Sequence, residues 1–351
     1  MIGIASYGVY LPYYRLGRDE IKRAWGLPPV RAGEKAIANY DEDPLTMASE
    51  SIANTLTGFE DTRVDALNFA STSYPFLEKQ GAAMISAIAD FSDEIDTIDF
   101  THSWRAGASA LKSALDAVGS GSAVNVMVAA SDCRLGKPGS DLELIFGDGS
   151  AAMLISSVNP IASFLGHHQI SHHFSDFQRK TEETCLRRMD DLRFINMYGY
   201  KLDVSKCIAG ILRKYALQPH DISAVICPSI EPGVFIGTAK KMGFDPNTQL
   251  QEPFFDKVGH LGTAHPLFML AAALDKAEPG DKILMVAYGD GAAAYLFEVT
   301  PEIKSIKHRG QTADKIRRGM SFNSYSRYLS VRDSLEKEQR TLRPYTSPAQ
   351  N

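Results

Sequence analysis

Cysteine is scarce in this chain, four in 351 residues, and Cys133, Cys185, Cys207 and Cys227 stand far apart. With no C-x-x-C pair and no Cys/His spacing of a zinc cluster, the sequence excludes a disulfide scaffold and points to no metal site. Long hydrophobic runs are missing too. The longest, PLFMLAAALDKA, meets Asp275 well short of membrane length, and MIGIASYGVYLPYY lacks the basic start and long apolar run of a signal peptide. These absences predict a soluble, cytoplasmic protein with reduced cysteines and no dealings with a membrane.

What is present is ordinary for a large globular core: 44% apolar and 23% charged residues. The charge is unevenly placed. Residues 301–351 carry eleven Lys/Arg against five acids, a net of +6 in a chain whose total is −5, so the remainder carries −11. Such a basic extension suits nucleic acid, a phosphorylated cofactor or an acidic partner, or lies over its own acidic body. Nothing else in the sequence supports nucleic acid. Tyr325 and Tyr328, in SYSRYLSVR, predict a docked segment, and the SPAQN end predicts fraying.

The chain repeats itself. GDGSAAMLI (147–155) returns as GDGAAAYLF (289–297), and GASALKSALDAVGSGSAVNVMVAAS from Gly107 returns as GTAHPLFMLAAALDKAEPGDKILMVAYG from Gly262. The Leu-Asp pairs at Leu115 and Leu274 and the turn glycines Gly121 and Gly280 keep one offset, 159 residues. Earlier, VDALNFASTSYP is answered by ISAVICPSIEPG. Each half reads as strand, helix, strand, turn, strand, with strands apolar enough for burial on both faces. The prediction is an α/β fold of two duplicated α-β-α-β-α layered halves, residues 1–165 and 166–300, followed by a basic extension, 301–351.

In IDFTHSWRAGASALKSALDAV a short strand runs into an Ala-rich helix with His102, Ser103, Trp104 and Arg105 at the junction. Backbone N–H groups at a helix start stabilise an anion, so enzymes often hold a nucleophile there. Trp104 offers only an indole N–H. The repeat sets HSWRAGA against VGHLGTA, so Trp104 and the Gly259-His260 pair are expected to face one another across a pseudo-twofold.

These features, with IGIASYGVYLPYYRL, EIKRAWG, EKAIANYDEDPLTMA, SDFQR and SYSRYLSVR, resemble the thiolase superfamily and, within it, 3-hydroxy-3-methylglutaryl-CoA (HMG-CoA) synthases of the archaeal and bacterial type, related to β-ketoacyl synthase III. The resemblance implies the thiolase fold and a coenzyme A thioester as substrate, with no tightly bound cofactor. In that family a cysteine at the helix start accepts the acyl group, a histidine and an asparagine or histidine stabilise the oxyanion, and a glutamate serves as acid or base. Carried onto this chain, the nucleophile position is Trp104, the second-half histidine position is Pro228 and the glutamate position is Thr72. Only His260 matches.

The resemblance also places Trp25 and Arg105 near the coenzyme A entrance, and Gly289 and Gly291 in the oxyanion region; Trp25 reads equally as a surface-helix anchor. Ser103, one residue off, is a poor replacement nucleophile. The histidines of GHHQISHHF fit a strand between the halves better than a metal site. The functional expectation is an HMG-CoA synthase-like acyltransferase homologue with a degenerate site, a non-catalytic partner in an acyl-CoA complex. Its expected assembly is a homodimer, or a hetero-oligomer with a thiolase and a zinc-ribbon/OB-fold acyl-CoA-associated protein. The competing reading is an active enzyme that forms, cleaves or decarboxylates acyl-CoA carbon skeletons with His260 and backbone donors.

Overall fold

The structure, a computed structural model, describes residues 1–28, 31–174 and 176–335. The expected frayed end, with Lys337, Arg340 and Arg343, and Ser175 of SDFQR lie outside the described residues.

The first half runs β1 (Gly3–Tyr10), β2 (Tyr14–Gly17), α1 (Arg18–Trp25), β3 (Glu34–Ile37), α2 (Pro44–Thr55), β4 (Ala66–Ala70), α3 (Gly81–Ile88), β5 (Asp96–Phe100), α4 (Ala106–Ser120), β6 (Asn125–Asp132), α5 (Asp141–Ile145) and β7 (Gly149–Ser156). The second runs β8 (Ala162–Ser171), β9 (Phe177–Gln178), β10 (Arg187–Arg188), α6 (Leu192–Phe194), a π-helical turn (Ile195–Tyr200), α7 (Lys201–Lys214), β11 (Ala224–Ile226), α8 (Pro232–Lys241), α9 (Phe255–Val258), α10 (His265–Leu274), β12 (Lys282–Tyr288) and β13 (Gly291–Val299). Then come α11 (Gln311–Arg317), β14 (Met320–Ser321) and α12 (Tyr325–Val331).

Nine strands form one sheet in the order β11-β12-β13-β8-β1-β7-β6-β4-β5. Read outward from the β8–β1 seam, the two sides match. β1–β7–β6 and β8–β13–β12 are antiparallel, and the next pairs, β6–β4 and β12–β11, are parallel. Residues 166–171 of the histidine-rich segment lie in β8, a strand in mid-sheet joined to β13 along its length and to β1 at Gly3 and Ile4, and His172 and His173 follow its end.

One core cluster joins α4, α10 and the facing strands of both sides, while α2 and α3 cover one outer face and α7 and α8 the other. The sequence explains this layering. Every residue of α10 is buried, as its unbroken apolar run requires, whereas α4 buries Gly107, Leu111, Ala114, Leu115 and Val118 at helical spacing. Gly121 stops α4 in the left-handed region, with φ 79°. Gly107 lets the two central layers meet: a Cβ there would stand 2.4 Å from the Thr263 carbonyl oxygen.

The carboxylate of Asp132, at the end of β6, binds the halves together. It accepts hydrogen bonds from Ser71, Thr72 and Ser73 on one side and from the Thr263 N–H on the other. The extension beyond residue 300 is docked as far as it is described. Phe322, Tyr328 and Leu329 pack with Leu16, Ile21, Ile37 and Leu144, and β14 pairs with β2.

Candidate functional site

The two expected helix starts meet. The Trp104 indole stacks on the His260 imidazole, with centroids 4.9 Å apart, and on Phe177 at 4.2 Å, while Phe146 meets it edge-on at 5.9 Å. The Arg134 guanidinium lies 4.7 Å from the centre of the same indole. Phe146, Phe177, Ile230 and Phe255 belong to one apolar cluster against which Trp104 packs. The junction is thus filled by a ring sandwich rather than opened to a nucleophile.

Packing controls protonation here. His260 is fully enclosed, and burial, then the neighbouring His265, then Arg134 push its pKa well below the ordinary value. Its Nδ1 accepts the Gly262 N–H at 3.2 Å, which leaves the proton of the neutral ring on Nε2. His265 stacks behind it at 4.5 Å, accepts the Leu261 N–H at Nδ1 and donates from Nε2 to the Pro253 carbonyl. Burial lowers His265 to about 4. Both rings are neutral hydrogen-bonding groups at pH 7.

Trp104 also lines a cavity with Pro228, Asp176, Asn196, Glu231 and Tyr288. Its closed part holds about 10 Å³, roughly one water. Leu192 and Glu231 line it as well and continue into a wider groove of about 530 Å³ bordered by Leu27, Arg31, Asp141 and Val234. A long ligand has room in the groove, and the inner end accepts a group no larger than a water.

The other sequence candidates take separate places. Thr72 gives its hydroxyl and N–H to Asp132, and its carbonyl accepts from Arg179. Arg105 is buried and donates to the Gln169 amide oxygen at 2.9 Å, with that amide turned to present oxygen. Trp25 is half exposed and donates to the Tyr325 hydroxyl at 2.6 Å, so α12 of the extension holds it. Gly289, at φ 150°, passes under the junction: a Cβ there would stand 2.9 Å from the Trp104 Cβ. Gly291 follows at φ 102°, and Asp290 between them accepts from the Ser103 hydroxyl at 2.8 Å.

No thiol takes the place of a nucleophile. Burial pushes Cys207 and Cys227 up to about 12 and Cys133 well above its ordinary range. Among the described residues no group of three or more His, Cys, Asp or Glu is placed to hold a metal ion. Within GHHQISHHF, His172 instead pairs with the buried Asp203 at 3.0 Å. Sequence reasoning missed Arg134, Phe146, Phe177, Tyr288 and His265, the residues that shape the site. Phe177 had a signal in its place in SDFQR, and His265 and Tyr288 lie within the second copy of the repeat.

Comparison with known proteins finds relatives over most of the chain. Residues 212–297 match the model of the 3-oxoacyl-[acyl-carrier-protein] synthase III C-terminal family. The hydroxymethylglutaryl-CoA synthase of Pyrococcus furiosus is 28% identical over 319 residues, 90% of each chain, and that of Methanopyrus kandleri is 27% identical over 345 residues, 95% of this chain and 98% of its own. A crystal structure of HMG-CoA synthase complexed with CoA superposes with a TM-score of 0.82 at 22% identity, covering 94% of this chain and 90% of the other. The fold is that of the thiolase superfamily.

Within that superfamily the 3-oxoacyl-[acyl-carrier-protein] synthase III of Aquifex aeolicus is also similar, with a TM-score of 0.73 at 18% identity over 85% of this chain and all of its own. This thiolase-superfamily chain is therefore HMG-CoA synthase-like along nearly its whole length. Among the described residues it has no helix long and apolar enough to cross a membrane.

Proposed function

We propose that this HMG-CoA synthase-like chain does not itself carry an acyl group, and that it serves as a subunit of an acyl-CoA complex containing a thiolase and a zinc-ribbon/OB-fold acyl-CoA-associated protein. The observation that carries the reading is the Trp104 sandwich. The ring without a nucleophilic atom fills the helix start, between Phe177 and His260. An acyl thioester reaching the end of the groove meets indole, and the cavity beside it accepts about one water.

A coenzyme A thioester is the proposed ligand of the groove. Two similar proteins were solved with CoA and with 3-hydroxy-3-methylglutaryl coenzyme A, and the groove here shares Leu192 and Glu231 with the cavity that Trp104 lines. Among the described residues β5 pairs on one side only, to β4, and exposes Ile98 beside a segment exposing Phe76 and Leu77, which offers a partner surface. An unpaired strand edge with apolar side chains favours a second copy or a partner chain.

The test is mass spectrometry of the protein purified with its native partners and incubated with acetyl-CoA and acetoacetyl-CoA. The expected result is an acyl adduct on a thiolase partner and none on this chain. An adduct on Ser103 or on a cysteine here would overturn the proposal. The neutral His260, with its proton on Nε2, favours one second reading, a donor to an enolate or oxyanion. That reading requires turnover by the isolated chain which His260→Ala abolishes.

A further inference from the structure

The first half contributes one wall of the wide groove from two short pieces of chain. Leu27, just beyond α1, and Leu144 of α5 line it, while Leu192 and Val234 line it from the second half. Neither α1, with eight residues, nor α5, with five, is long enough to be stable by itself, so packing and side-chain bonds must fix their places.

The Tyr325 hydroxyl of α12 joins the two pieces. It accepts from the indole N–H of Trp25, the last residue of α1, at 2.6 Å. It gives its own proton to the Glu143 carboxylate of α5, whose oxygens stand 3.0 and 3.1 Å away. Trp25 and Glu143 do not line the groove themselves, but their close neighbours Leu27 and Leu144 do. Gly139 closes the same circuit: its N–H reaches the Glu143 carboxylate at 2.7 Å, and a Cβ there would stand 2.8 Å from the Trp25 indole.

A second tie runs beside the first. Lys35 Nζ donates to the Tyr328 hydroxyl at 3.0 Å and to the Glu143 carbonyl at 2.6 Å, so both tyrosines of α12 end on Glu143 or on its partner. Leu27, Leu144 and the Tyr325 ring pack in one apolar cluster. With seven residues α12 is too short to persist as a helix in water, so it is formed only while it is docked.

We propose that α12 is a clasp for the groove: its Tyr325 hydroxyl locks the end of α1 to α5 and holds the first-half wall in the form that receives a ligand. Tyr325 is a positioning residue, acting through Leu27 and Leu144. A ligand that needs this wall in place stabilises the docked clasp, and by linkage the docked clasp raises the affinity for that ligand by the same factor. The ligand, a coenzyme A thioester, is taken from the reading above, whereas the clasp rests on the contacts alone.

Amide hydrogen exchange of the full chain, read by mass spectrometry with and without coenzyme A, tests it in the wild type and in Tyr325→Phe, which keeps the ring and removes the hydroxyl. Without ligand the variant is expected to exchange about tenfold faster over residues 24–28 and 139–145 while α10 is unchanged, because one hydrogen bond to a carboxylate and one from an indole are lost. With coenzyme A, exchange over residues 325–331 is expected to slow in the wild type, and isothermal titration is expected to show the variant binding about tenfold more weakly. Unchanged ligand-free exchange in both segments overturns the clasp. Faster exchange that extends equally to α10 overturns it too, since the hydroxyl would then support the whole fold. Equal affinity of the two proteins for coenzyme A overturns the coupling. A wild type that binds no coenzyme A removes the ligand reading, and the ligand-free exchange then decides the clasp by itself.

Discussion

The Trp104 and His260 rings stack at 4.9 Å with planes 26° apart, and they come from the helix starts of opposite halves. Where a catalytic gap would separate two reacting groups, this contact makes the seam part of the core. Its energetic signature is therefore that of packing. Trp104→Ala removes the indole from Phe177, His260 and Phe146, and because Trp104 is only partly buried the expected loss is about 2–4 kcal/mol, at or below the usual range for an aromatic truncation. Urea unfolding measures it. Trp104→Phe, which keeps a ring in the stack, is expected to lose less than half as much, and no change in either variant would mean that the sandwich contributes nothing to stability.

The neutral histidines behind that stack give a pH signature. The His265 pKa falls from 6.5 in an unfolded chain to about 4 in the fold, so between those pH values the unfolded chain binds the extra proton. Stability is then lost as pH falls from 6.5 towards 4, by about 2–3 kcal/mol at pH 4.5 for this group alone. Asp176 works in the opposite sense over 3.8 to about 6, because its raised pKa makes the folded state the better proton binder. The contribution of His265 is isolated by difference. Urea unfolding at pH 7 and 4.5 is expected to show wild type losing about 2–3 kcal/mol more than His265→Gln.

The layered fold was legible because duplication writes the same burial pattern twice. The two GDG turns lead into β7 and β13, and the 159-residue offset relates α4 to α10. The meeting of Trp104 and His260 followed from that symmetry. The walls of the site were not legible, since Arg134, Phe177 and Tyr288 come from a loop, a two-residue strand and a strand end. Their convergence depends on how loops cross the seam, which no local periodicity encodes. Arg105 shows the same limit: adjacent to Trp104 in sequence, it turns away to Gln169 on β8.

Thiol chemistry separates a packed chain from a reactive one. Cys207 and Cys227 are buried with pKa values near 12, and Cys133 is raised well above its ordinary range. Alkylation by iodoacetamide at pH 8 is expected to label Cys207 and Cys227 only when the protein unfolds and Cys133 more slowly than Cys185, read by peptide mass spectrometry. Fast labelling of Cys207 or Cys227 in the native state would show a thiolate where burial forbids one.

The extension is tied down by a buried ion pair as well as by apolar packing. Arg332 reaches Asp148 of the first GDG turn through two hydrogen bonds, 2.8 and 3.1 Å, with both side chains nine-tenths buried or more. Burial works against the Arg332 charge, but Asp148, Cys133 and Tyr328 outweigh it and keep the guanidinium pKa above its ordinary value. Arg332→Met strands the Asp148 carboxylate, which keeps the Ala38 N–H and the more distant charge of Lys35, and the expected cost is about 3–5 kcal/mol. Adding Asp148→Asn removes the stranded charge while leaving an oxygen for Ala38, so the double variant is expected to recover part of that loss. Thermal unfolding of the four proteins in this cycle measures the coupling. A strong negative effect of Arg332→Met that Asp148→Asn does not relieve would place the cost in lost packing of α12 rather than in the pair.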